Sequence, residues 1–182
     1  MSPILNTARL RLEPFDDKHF SGLLALNSDP VVMRFVGGAP VTPEEVQGDI
    51  DEAKHCWASL GFSWWAILVA GTDDMIGAGC VQHIENDSAK PVEVGWRLRP
   101  DQWGKGYATE AARTMIDFAF EVLHVRRIYA VADPMNDRSI KVMRRLGMRY
   151  IGLQEHYGRP VTTYALDRSS WQRARQSVPA RS

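Results

Sequence analysis

The stretch from Val92 to Ala111, VEVGWRLRPDQWGKGYATEA, constrains this chain more than any other. Val92 to Arg99 is rich in branched and aromatic residues, which predicts a strand, and Pro100 stops it. Gly104 and Gly106 make a turn. From Gly106 to Leu123, apolar residues at 108, 111, 112, 115, 116, 119, 122 and 123 form a helical stripe. A strand, a glycine turn and a helix in that order leave main-chain N–H groups uncovered. The helix brings its own unpaired N–H groups and positive dipole end to the same spot. Such a place suits a phosphate or pyrophosphate, and the small Ala108 lets a ligand approach the backbone. A plain turn with glycines for geometry is the alternative. The pattern is not the ATP-type loop, because G-x-x-x-x-G-K-[S/T] is absent. It is not the dinucleotide fingerprint either, because the third glycine is missing.

Around this segment the chain alternates strands and helices. Alternation over Thr7–Glu13 predicts a strand, and a helical stretch from Asp17 to Asn27 ends at Asp29-Pro30. Thr42-Pro43-Glu44-Glu45 has the signature of a helix start, and that helix runs to Leu60. Phe62–Ala70 and Met75–Ile84 read as a strand pair turned at Gly71. Arg126–Asp133 is a further strand closed by Pro134, and Asn136–Leu146 a short helix ended by Gly147. Arg149–Glu155 and Val161–Leu166 make a last strand pair. The order predicts one α+β domain over residues 1–171, with a polar, frayed tail over 172–182.

Composition removes several classes. Lys plus Arg and Asp plus Glu both total 22, and this balance argues against a nucleic-acid partner. No apolar run nears the ~20 residues that span a bilayer, so no membrane partner is expected. The N-terminus lacks a basic segment followed by an apolar run, which points to a cytoplasmic protein. Cys56 and Cys80 are far apart, so a disulfide framework is not expected. The five histidines lack i, i+4 pairing, and no metal is expected.

A second informative element is DPMNDRSIKVMRRLGM, Asp133 to Met148. Asn136 stands where a helix cap is needed. Arg138, Lys141 and Arg145 share a polar face, which a solvated surface also explains.

Taken with TARLRLEP near the start and YALDRSSW near the end, the segments WGKGYATEA and NDRSIKVMRRLGM resemble the GCN5-related N-acetyltransferase (GNAT) superfamily. The nearer likeness is to its RimJ/RimL branch, and the resemblance covers Thr7 to Trp171. It implies a central, mostly antiparallel twisted sheet of about seven strands flanked by about four helices. The fourth and fifth strands, here Val92–Arg99 and Arg126–Asp133, splay apart to admit the pantetheine arm of acetyl-CoA. The implied contacts are the backbone of Leu98 and Arg99 to that arm, and the amides of Gly104, Lys105, Gly106, Tyr107, Ala108 and Thr109 to the pyrophosphate. Asn136 would touch pantetheine, with Ser139 beside the thioester sulfur. The implied activity is acetyl transfer to an amine, either a small molecule or a protein N-terminus, by direct attack in a ternary complex. The implied assembly is a monomer or homodimer.

Two positions depart from the superfamily pattern. Trp103 stands where its phosphate loop begins with Gln or Arg, with Gln102 one residue early; Trp103 is then a packing residue. Met143 stands where many members have a proton-donating Tyr, leaving Ser139 as substitute acid. The alternative is that no acid is needed, because a thiol of pKa ~8.5 leaves largely as thiolate. A noncatalytic acyl-CoA-binding module is the competing function.

Glu93 is the leading candidate base, acting through a water, because it lies on the strand that should flank the thioester. An exposed strand carboxylate is the plainer reading. His83 is a second candidate. Phe35, Trp57, Trp64, Trp65 and Trp96 are candidates for an acceptor pocket, although Trp64 and Trp65 must point to opposite faces. Cys80 reads as a buried, inert thiol.

Overall fold

A computed structural model describes residues 3–37, 39 and 41–176. Among these residues eight strands form one sheet: β1 (Leu5–Asn6), β2 (Leu10–Pro14), β3 (Trp64–Val69), β4 (Met75–His83), β5 (Val92–Leu98), β6 (Arg127–Ala132), β7 (Arg149–His156) and β8 (Arg159–Asp167). Their spatial order is β1-β2-β3-β4-β5-β6-β8-β7. The α-helices are α1 (Phe20–Ser28), α2 (Pro30–Met33), α3 (Pro43–Ser59), α4 (Tyr107–Glu121), α5 (Asp137–Arg145) and α6 (Arg168–Gln176).

Strand neighbours pair antiparallel except β5 and β6. Those two run parallel and meet in register only at Glu93↔Tyr129. The expected splay is therefore present, and the mixed α+β architecture with it.

Side-chain alternation builds a core on each face. Leu10, Leu12, Trp65, Ile67, Val94 and Leu98 pack with Ala111, Met115, Ile116 and Phe118 of α4. On the other face Ala66, Leu68 and Ala78 pack with Leu23, Leu26, Val46 and Ile50 of α1 and α3. Burying each Leu or Ile contributes ~1.5–3 kcal/mol. The first core takes in Val94 and Leu98 and fixes one face of β5; on the other face Arg97 Nε donates to Asn27 Oδ1 of α1 at 2.9 Å. The α3 start is the expected capping box: Thr42 Oγ1 accepts from Glu45 N at 3.2 Å, and Glu45 Oε2 accepts from Thr42 N at 2.7 Å.

Three elements lay outside the sequence reading. β1 is two residues long. The α2 helix begins at Asp29-Pro30, which reads as a breaker: Asp29 Oδ1 caps Val31 N at 2.8 Å, and Pro30 opens the helix. The α6 helix passes through the expected boundary at Trp171 and continues to Gln176. It is anchored to α4 by Trp171 Nε1 donating to Asp117 Oδ1 at 2.7 Å. The expected frayed tail is thus helical as far as Gln176, and residues 177–182 lie outside the described ones.

Candidate active site

Gly104 and Gly106 adopt φ of 77° and 83°, in the left-handed region that glycine enters without strain. Gly106 is the N-cap of α4 and offers no side chain to cover the helix end. Among the described residues, the N–H groups of positions 104–109 meet no protein acceptor. The first bonded amide is Glu110 N, which donates to Gly106 O at 3.0 Å. Gly104, Lys105 and Gly106 are exposed, and Tyr107, Ala108 and Thr109 are half-buried.

The turn is tied to the segment between β1 and β2 by side chains whose roles the sequence does not show. Arg9 Nε donates to Glu110 Oε2 at 2.7 Å and Arg9 Nη1 to Lys105 O at 3.0 Å. Thr7 Oγ1 donates to Glu110 Oε1 at 2.6 Å. Burial alone would raise the Glu110 carboxyl, but the Thr7 and Arg9 hydrogen bonds hold it below its ordinary value. Arg9 thus stands beside the open amides as one half of an ion pair with Glu110, Nη2 to Oε2 at 2.6 Å.

The gap beside β5 corrects the expectation for Leu98 and Arg99. Arg99 N donates to Ile76 O at 2.9 Å, so its N–H faces β4 rather than the gap. Its carbonyl accepts from Gln102 N, and its side chain pairs with Asp74 and Asp101. The Leu98 carbonyl accepts from Trp103 Nε1 at 2.9 Å. In an antiparallel ladder the alternate residues face away, so with Arg99 turned to β4 the main chain of Trp96 and Leu98 faces β6. What Leu98 leaves open is its N–H; Trp96 leaves both groups. Trp103 is a packing residue as expected, with the Arg138 guanidinium 4.2 Å from its ring centre.

Across the gap, Asn136 Oδ1 accepts from Ser139 N at 3.2 Å and caps α5. Asn136 and Ser139 are both half-buried at that helix start. Met143 is buried in the core.

Glu93 is only 4% exposed, so the exposed-carboxylate reading is overturned. It lies on the β5 face that also carries Gly95 and Arg97. Its Oε1 accepts from the Tyr157 hydroxyl in a short contact and from Gln82 Nε2 at 3.0 Å. Burial pushes its carboxyl up to about 7, against the pull of the Tyr157 and Gln82 hydrogen bonds. The sequence points to the return from His156 to Pro160 as a wall of the acceptor pocket, but not to Tyr157 as the partner of Glu93. The two lie 64 residues apart, and only the closure of the β7–β8 hairpin over β5 joins them.

Other candidates are committed elsewhere. His83 Nδ1 is 2.7 Å from Lys90 O, and its ring packs on Phe62. Trp65 is buried on the α4 side against Trp57 and Phe118. Trp64 lies on the opposite face, stacked on Phe15 with the Arg97 guanidinium 4.5 Å from its ring centre. Cys80 is buried, and burial pushes its thiol well above its ordinary value. The loop after α2 and the β7–β8 hairpin meet where Arg159 Nη2 donates to Phe35 O at 2.8 Å. Among the described residues no group of three His, Cys, Asp or Glu stands ready to hold a metal, and no helix is long and apolar enough to cross a membrane.

Known proteins resemble this chain in sequence and in fold. The family model described as an acetyltransferase (GNAT) domain matches residues 9–149. The chain is 30% identical to the FsC-acetyl coenzyme A-N(2)-transacetylase of Aspergillus fumigatus, over 99% of this chain and 83% of that one. It is also 30% identical to an uncharacterized N-acetyltransferase, p20, of Bacillus licheniformis, over 88% and 92%. Among solved structures, an acetyltransferase from Agrobacterium tumefaciens superposes with a TM-score of 0.79 at 27% identity, covering 90% of this chain and 94% of that one.

Proposed function

The chain belongs to the GNAT acetyltransferase family, and from that premise we propose that it transfers an acetyl group from acetyl-CoA to a primary amine by direct attack in a ternary complex. The observation that carries the proposal is the run of unpaired amides over 104–109, at a helix N-terminus beside the parting of β5 and β6. These amides fit a pyrophosphate: they are unpaired, lie at the positive end of a helix dipole and have Arg9 alongside.

In this reading Gly104 to Thr109 hold the pyrophosphate, and the free main-chain groups of Trp96 hold the pantetheine arm, leaving the Leu98 N–H for the thioester. Asn136 reaches the same arm, and Ser139 stands near the sulfur. Acetyl-CoA supplies the acetyl group as a thioester. The Leu98 N–H is placed to stabilise charge developing on the thioester oxygen. As the amine nitrogen bonds to the carbonyl carbon, the carbon–sulfur bond breaks and sulfur departs as thiolate. Glu93, poised near neutrality, takes the proton the nitrogen must lose, directly or through a water. A buried carboxylate costs a fold stability, which a domain that merely bound acyl-CoA would have no reason to bear.

The acceptor class is proposed from the relatives. The Aspergillus protein's name specifies acetyl coenzyme A and an N(2) nitrogen. A spermidine N(1)-acetyltransferase of Escherichia coli, 34% identical over 43% of this chain, is named for a small amine; an amine on a small molecule is the acceptor we infer here, with a protein N-terminus, the RimJ/RimL type of acceptor, as the other branch of the test. The test incubates purified protein with acetyl-CoA and pooled amines or N-terminal peptides and follows thiol release. Amine-dependent release supports the proposal, and the pool that gives it identifies the branch. Tight CoA binding with no release from any pool would overturn transfer.

A further inference from the structure

We propose that Tyr157 is a positioning residue: with Gln82 it holds Oε1 of Glu93, so that Oε2 is the oxygen left to take the proton of the acceptor amine. The inference rests on Glu93 being the base and adds how that base is aimed.

Three observations carry it. Tyr157 Oη donates to Glu93 Oε1 and accepts from Gln82 Nε2 at 3.2 Å, while Gln82 Nε2 also donates to Glu93 Oε1. Both polar contacts therefore fall on one oxygen, and among the described residues Oε2 has no hydrogen-bond partner.

The second observation is backbone strain. Tyr157 and Gly158 are the two central residues of the hairpin turn closed by the pair His156↔Arg159, with φ of 56° and 68°. Left-handed φ at both positions defines a turn that favours Asn-Gly, and a bulky aromatic is unfavourable at the first of them. The turn keeps a tyrosine where chain geometry asks for asparagine.

The third is that the strained residue is held from behind. Tyr157 N donates to Glu85 Oε1 at 2.6 Å, and Arg159 ties the next strand to Phe35. The phenol is thereby fixed over β5, across the divide from its own strand pair.

The charged and titratable neighbours of Glu93 are Cys80 on β4, Glu85 with its partner Lys90, and Tyr129 in register on β6. From the hairpin come Tyr157 and His156, whose Nδ1 is 3.8 Å from Glu85; Arg97 lies on the same strand. Of these, Tyr157 is the group that donates directly to the carboxylate.

The test titrates the Glu93 carboxyl by carbon-13 NMR in the free protein, assigned by its loss in Glu93→Gln, and measures kcat against pH. Tyr157→Phe removes one charge-assisted hydrogen bond. The carboxyl midpoint then rises by about one unit and kcat at pH 7 falls at least about fivefold, with part of the loss persisting above the new midpoint because Oε1 is no longer held; full recovery there would leave Tyr157 no aiming role. Tyr157→Asn moves the midpoint the same way while raising Tm, because asparagine tolerates the left-handed backbone. An unmoved midpoint in both variants overturns the positioning role, and a lower Tm in Tyr157→Asn overturns the strain argument. If Glu93→Gln instead retains full turnover, the base assignment fails. The NMR titration still reports the contact by itself, so the two failures are distinguishable.

Discussion

At position 93 a carboxyl group sits where an apolar side chain would pack, and its pKa of about 7 in the fold stands above its ordinary 4.5. An acid whose folded pKa is raised favours the native state most when protonated. Stability is therefore full below pH 4.5, falls as pH rises toward 7 and stays level above it. The window corresponds to on the order of 3 kcal/mol. Glu93→Gln should flatten this dependence and raise stability at pH 8, as chemical denaturation across pH will show. The same variant should lower turnover at least ~100-fold with CoA affinity unchanged. Wild-type turnover in that variant would remove Glu93 as base. Glu93 was legible as a candidate because it lies on the strand that the family resemblance sets beside the thioester. Its burial and its phenol partner were not, because both depend on a hairpin 64 residues away closing over β5.

The turn and the two helix starts carry the proposed binding. Valine at Gly106 must adopt a φ of 83°, which distorts the turn that orients the amides. We expect Gly106→Val to weaken CoA at least tenfold by calorimetry; unchanged affinity would contradict the placement. Asn136 caps α5, so Asn136→Ala should cost about 1 kcal/mol in thermal unfolding and also raise KM for acetyl-CoA. Asn136→Asp keeps the cap and separates the effects. Restored Tm with KM still raised assigns Asn136 a ligand contact, whereas full recovery of both leaves only the cap. The strand–turn–helix unit could be read from the sequence because its signals are local: Pro100, two glycines and a helical stripe. The main-chain assignment at Leu98 and Arg99 could not, since the register against β4 and the reach of the Trp103 indole decide which groups face the gap. The α6 helix escaped for a related reason. Its residues are almost all polar, and Trp171 against Asp117 and Phe120 fixes it in place.

Across the whole molecule, the sheet is two antiparallel blocks joined by one parallel register pair. Local clamps hold the blocks across their divide: Arg138 over Trp103, Tyr157 on Glu93 and Arg159 on Phe35. A ligand seated in that divide binds only the folded chain. CoA at 100 times its Kd should thus stabilise the protein by about 2.7 kcal/mol. The most direct test is a nitrogen-15 amide titration with CoA, followed residue by residue. The account predicts that the largest shifts fall on Gly104 to Thr109 and on Trp96 and Leu98. Binding that leaves those amides unmoved while others shift would contradict it.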